Sequence, residues 1–133
     1  MALTADIGYE TVGPTVILGI TAGAADTLYK GAIVNIGTDG YIKVAADVAS
    51  EIPLGVVKEQ VVAAGSNAET VEVETGKIWL AHTGAAQTDV GQLFYATADD
   101  TLADSASNVG PLGLCVGFKT GYLLIDTQMK AVS

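Results

Sequence analysis

Arginine is absent from the 133 residues, and six lysines stand against 15 carboxylates, for a formal net charge of −9. The lysines (Lys30, Lys43, Lys58, Lys77, Lys119 and Lys130) are scattered singly. Displacing counterions from a phosphate backbone takes clustered Lys or Arg, so no direct nucleic-acid partner is expected, and no anionic membrane either. The acidity reads as a solvated, self-repelling surface or as a surface steered to a basic partner. The single cysteine, Cys115, lies inside an apolar run, which excludes an intramolecular disulfide and predicts a buried, inert thiol. No apolar stretch approaches the roughly 18 residues of a membrane span. The first residues lack the basic and long apolar segments of a secretory signal, so the chain is expected to stay soluble where it is made.

Recognisable chemistry is equally scarce. His82 is the only histidine. Alone it cannot make a zinc site, and with Thr83 adjacent and Asp89 seven residues on it forms no catalytic constellation. Asp99, Asp100 and Asp104 are the densest carboxylates, but their spacing lacks the alternation, central glycine and final Glu of a calcium loop, so a solvated turn is expected. Thr75-Gly76-Lys77-Ile78 is a fragment of a phosphate loop without its upstream glycine or its hydroxyl. Gly55, Gly91 and Gly113 sit in or beside apolar runs and read as bulges or close strand approaches. Trp79, the sole tryptophan, reads as a core or interface anchor. The expectation is therefore no enzyme, no cofactor and no metal.

Half of the chain is apolar, mostly Ala, Val, Ile and Leu, with 16 glycines and few aromatics, which favours short strands and tight turns. Residues 1–14 carry isolated apolar positions, Ile7, Tyr9 and Val12, and end at Gly13-Pro14. They read as an extended N-terminal arm, either frayed or able to add to another chain as a strand or strap. The β-branched run at 15–21 reads as the first strand of a single β domain, 15–133. Runs at 32–36 and 41–44 flank Asp39-Gly40 as a hairpin, and 47–51 reads as a helical turn or loop before Pro53. A third run at 54–57 continues to Val61-Val62. Val71-Glu72-Val73-Glu74 alternates clearly, and Gly76 is expected to turn the chain so that 77–81 returns as a hairpin partner. Strands at 92–96, 101–103, 112–118 and 122–126 complete the set. The fold expected is all-β, a small β-barrel or β-tulip-like sandwich with at most short helical turns.

The two halves resemble each other. Lys30-Gly31-Ala32-Ile33-Val34, Thr38-Asp39-Gly40 and Pro53-Leu54-Gly55-Val56-Val57 have counterparts in Val90-Gly91-Gln92-Leu93-Phe94, Ala98-Asp99-Asp100 and Pro111-Leu112-Gly113-Leu114-Cys115. A pseudo-duplication over about 30–60 and 90–118 follows.

These same segments, with Gly76-Lys77-Ile78-Trp79 and Asp89-Val90-Gly91-Gln92-Leu93-Phe94-Tyr95, resemble the small capsid decoration, or cement, proteins of tailed bacteriophages. The resemblance implies a trimer that caps threefold or quasi-threefold positions of an icosahedral shell and stabilises it. It implies the major capsid protein and further copies of itself as partners, and the outer capsid surface of the virion as location after synthesis in the host cytoplasm. The arm is then the capsid-contact segment, with Ile7, Tyr9, Val12 and Pro14 as candidates. The alternative is a receptor- or carbohydrate-binding β domain of a phage head fibre or similar surface protein, with Trp79 and Tyr95 as stacking residues.

Overall fold

β-branched side chains pack well on a pleated surface and poorly in a helix, and the run Thr15-Val16-Ile17-Leu18 has little choice but to extend. In the computed structural model, which describes residues 3–23, 25–65 and 68–130, it lies within β1, Glu10–Thr21. There follow β2 (Ala25–Leu28), β3 (Ile33–Ile36), β4 (Ile42–Val44), β5 (Ile52–Val57), β6 (Val61–Ala64) and β7 (Thr70–Ala81). A 3₁₀ turn at Gln87–Asp89 precedes β8 (Leu93–Ala98), β9 (Thr101–Ala103), β10 (Gly113–Lys119) and β11 (Tyr122–Asp126). The fold is all-β and barrel-like, a curled antiparallel sheet with a separate β2–β6 ribbon.

Strand order along the sheet is β4-β3-β5-β7-β11-β10-β8-β9, which reads the same from either end once β3, β4, β5 and β7 are matched with β8, β9, β10 and β11. The hydrogen bonds match too. Gly31 donates to the Val57 carbonyl and Gly91 to the Cys115 carbonyl, both at 2.8 Å. Val57 donates to Ala32, and Cys115 to Gln92, both at 2.9 Å. Gly55 pairs with Val34 as Gly113 pairs with Phe94, and Val57 with Val73 as Cys115 with Ile125.

Burial ties the two halves together. Ile33 and Val56 join Phe94, Leu112, Cys115, Leu123 and Ile125 in one apolar cluster. Val34 and Val57 join Val71, Val73, Leu28 and Ala63 in another, which brings in the β2–β6 ribbon. Because neighbouring strand residues point to opposite faces, β3 and β5 are buried on both sides. β11 is likewise buried on both sides from Leu123 to Asp126, whereas at the end of β7 Ile78 and Leu80 are buried in the first cluster and Trp79 is only half-buried on the opposite face.

Two expectations from the sequence need correction. Gly76 does not reverse the chain; β7 runs straight through it at φ +134°. Its amide donates to the Thr127 hydroxyl (2.8 Å) and its carbonyl accepts from the Thr127 amide (2.9 Å). The glycine thus marks where β7 exchanges β5 for β11 as neighbour. Pro14 does not precede the first strand but lies inside it, in a bulge between Val12 and Val16 where a missing N–H costs no ladder bond. Of the two readings for 47–51, helical turn or loop, the structure has the loop; Asp47 there accepts from the amides of Ser107, Asn108 and Val109 at 3.1, 2.8 and 2.8 Å, contacts led by Val109 that hold its carboxyl below the usual range.

The C-terminal segment bridges the units. Lys130 Nζ donates to the Pro53 carbonyl (2.9 Å) and the Leu112 carbonyl (2.6 Å), one in each Pro-Leu-Gly copy. Burial pushes its ammonium down to about 8 against the pull of Asp126. The folded value lies below the unfolded one, so this stability is complete above the unfolded lysine range and is lost as pH falls through 8. Relative to Lys130→Met, the wild type should gain about 1 kcal/mol between pH 8 and pH 9 in denaturant titrations. A constant gap across that interval would show that the amine is equally solvated in both states.

Candidate functional site

Edge strands with unpaired main chain are usually blunted by charge, proline, a bulge or a covering segment. Among the described residues β1 pairs with β7 alone, from Glu10↔Trp79 to Thr21↔Thr70. β7 meets β5 and β11 in turn at residues that it also pairs with β1, so those two share its opposite edge. The free edge of β1 carries no charged side chain from Thr11 to Thr21, and its proline and bulge both fall before Val16. Beyond the bulge Val16 is 50 % exposed, Ile17 41 % and Leu18 37 %. Val16 and Leu18, opposite Thr75 and Val73, share the face on which Ile20 packs against the second apolar cluster; Ile17, opposite Glu74, faces the other way.

The arm does not hang free. Ile7 donates to the Lys30 carbonyl and the Lys30 amide to Asp6, both at 2.9 Å, while the Leu3 amide donates to Asp99 at 3.0 Å. The Ile7 side chain fills the space that a Cβ on Gly31 would need. The Tyr9 hydroxyl donates to Glu74 at 2.6 Å and the Thr15 hydroxyl at 2.7 Å. Burial acts to raise the Glu74 carboxyl, but these two donors and Lys58 hold it below its ordinary value. Burial and the same carboxylate push the Tyr9 phenol up. Of the four contact candidates, Ile7 and Tyr9 are therefore fastened to their own domain, whereas Val12 and Pro14 sit exposed in β1.

Trp79 lies with Glu10 and Leu124 across neighbouring strands on the outer face of the second unit. Its indole reaches over β11 toward Gly117, and Lys119 Nζ lies 4.6 Å from the indole centroid and 5.2 Å from that of Tyr122. Lys119 is also 3.7 Å from Glu10 Oε2. With Gly8 and Tyr9 these residues line a cleft of about 320 Å³. Tyr95, the stacking partner expected from the sequence, stands on β8, three strands away from β7. Tyr122 and Lys119 take that place; as the two sides of the Lys119-Thr120-Gly121 hairpin they were visible in the sequence, but their neighbour across β7 was not.

His82 borders a second cleft, of about 490 Å³, with Thr83, Asp100, Thr101 and Leu102. Its amide donates to Gly121 at 3.0 Å and its ring stands edge-on to Phe94, 5.4 Å between centroids. Asp89 does not orient it, being bonded to the Ala86 amide at 2.9 Å. Asp99 is buried rather than solvated, in the β8–β9 turn beneath Leu3, and burial raises its carboxyl. No group of three or more His, Cys, Asp or Glu side chains suited to a metal ion occurs among the described residues. Cys115 is buried, and burial pushes its thiol up. No helix among the described residues is long and apolar enough to cross a membrane.

No family model matches this chain, and no curated protein is similar to it.

Proposed function

We propose that this chain is a structural virion protein that binds the outer surface of an icosahedral phage capsid and stabilises it as a homotrimer at threefold or quasi-threefold positions. The observation that carries the reading is the free edge of β1, uncharged and apolar beyond its bulge in a chain of net charge −9. Such an edge accepts a strand or extended loop of another protein, with main-chain hydrogen bonds supplying affinity and alternate side chains supplying register. The domain behind it is buried on both faces of β3 and β5, a rigid support for a clamp that holds neighbouring subunits without a reactive group. The acidic surface favours the outside of the shell over its DNA-facing side. Assembly in this reading involves the major capsid protein and further copies of this chain, and neither nucleic acid nor membrane.

The test mixes purified protein with expanded shells that lack it and measures bound copies by sedimentation and mass analysis. Saturable binding at the number of threefold and quasi-threefold positions is expected. Binding that never saturates, or none at all, would remove the reading.

A further inference from the structure

We propose that the occupant of the β1 edge is a second copy of this chain, whose β1 pairs with it antiparallel about a twofold axis at Leu18. The inference rests on the reading above for its site, the open edge, and names the partner there. The two halves show that a strand belongs at this place. Leu18 lies opposite Val73 as Ile78 lies opposite Ile125, so the second half of β1 is the counterpart of the end of β7. In the second half of the molecule that counterpart carries one more strand, since Glu10, Thr11 and Val12 of β1 pair with Trp79, Ile78 and Lys77. In the first half nothing among the described residues pairs there.

The register selects the partner. The Ala22 amide donates to the Glu69 carbonyl at 2.8 Å, and the Val16 carbonyl accepts from the Thr75 hydroxyl at 3.0 Å. Even-numbered residues of this segment therefore turn their main chain toward β7, and Ile17, Gly19 and Thr21 turn theirs outward. A twofold at Leu18 brings Ile17 opposite the partner's Gly19, both with outward-facing groups, so the two can exchange main-chain bonds. On the inner face Leu18 meets Leu18, and Val16 meets the partner's Ile20, which packs on the second apolar cluster. On the outer face the exposed Ile17 side chain lies over a glycine. Shifting the register by two residues one way draws the bulge at Pro14 opposite Ile20. The other way sets Val16 against Ala22, which already bridges Ile42. Two chains of net charge −9 can meet along this edge because it apposes no like charges from Thr11 to Thr21. On a shell the contact joins copies of adjacent trimers across a twofold, adding to the threefold assembly.

Cysteine cross-linking of the free, full-length protein tests the register. Leu18 opposite Leu18 is a non-hydrogen-bonded pair, with Cα atoms about 4.5 Å apart, inside the range that a disulfide spans. In a glutathione redox buffer Leu18→Cys is expected to give at least about tenfold more disulfide-linked dimer than Ile17→Cys or the exposed Val62→Cys. Cys115 is buried and stays out of the reaction. Sedimentation equilibrium of the wild type, at about 100 μM because so short a pairing is a small interface, should give an even number of copies, halved in Val16→Lys with Leu18→Lys. Equal cross-linking in the three cysteine variants would overturn the proposal. So would a wild-type mass of one or another odd number of copies, or a mass unchanged by the two lysines. Shells play no part in either measurement, so failure here leaves shell binding to its own test, and failed shell binding leaves the pair standing.

Discussion

The double substitution Val16→Lys with Leu18→Lys is expected to lower affinity for expanded shells about 100-fold or more while leaving the domain folded. Both side chains project beyond the sheet on one face of β1, 50 % and 37 % exposed. Lysine at such sites blocks pairing because a docking strand would have to bury the ammonium groups. Two hot-spot positions lost together cost at least about 3 kcal/mol, which is the 100-fold named. Stability should change by less than about 1 kcal/mol, since neither side chain is enclosed by the core. Val62→Lys is the control: Val62 is 65 % exposed, but on the β2–β6 ribbon. Equal loss of binding in the control would mean that added charge, and not the edge, is what matters.

The second large effect concerns folding. Gly55→Ala and Gly113→Ala are each expected to cost on the order of 4 kcal/mol and to leave little folded protein. A Cβ on Gly55 would fall on the Glu74 carbonyl oxygen, and one on Gly113 on the Asp126 carbonyl oxygen, backbone atoms of the next strand that cannot turn aside. Two glycines at matching places meeting matching carbonyls is a packing counterpart of the shared hydrogen bonds. Gly40→Ala serves as comparison, since a Cβ there meets nothing within 4 Å and only the positive φ is penalised, at about 1 kcal/mol. Circular dichroism and urea midpoints on the three variants decide the matter. A modest loss at Gly55 or Gly113, like that at Gly40, would show that the strands can separate.

The strands themselves were legible because alternation and turn chemistry act locally: Val71-Glu72-Val73-Glu74 and Asp39-Gly40 needed no tertiary knowledge. The repeated Pro-Leu-Gly segments also stood out, since the tight strand contact at Gly55 and Gly113 leaves room for no other residue. What failed were inferences that depend on which strand lies alongside. Gly76 looks like a turn residue in isolation; only the Thr127 bonds and the change of neighbour explain a glycine inside a straight strand. Pro14 looks like a boundary, yet a bulge on an edge strand tolerates it. The β2–β6 ribbon escaped notice because Ala25–Leu28 is short and mixed in character.

The candidate site was legible only in part. Val12 and Pro14 belong to the open edge, but Val16, Ile17 and Leu18 read simply as part of the first strand because nothing in their pattern reveals that one side is unpartnered. Ile7 looks like a free contact, whereas the room to seat it comes from Gly31, 24 residues further along. Trp79 reads as an anchor from the sequence, but its companions Tyr122 and Lys119 come from a hairpin that joins it only through β-pairing.

A density map of expanded shells saturated with the protein tests the central claim most directly. The expected map shows three copies at each threefold or quasi-threefold position on the outer surface, with the Glu10–Thr21 strand against a capsid-protein segment or a neighbouring copy. Empty threefold positions at saturation, or bound copies whose β1 edge faces solvent, would contradict it.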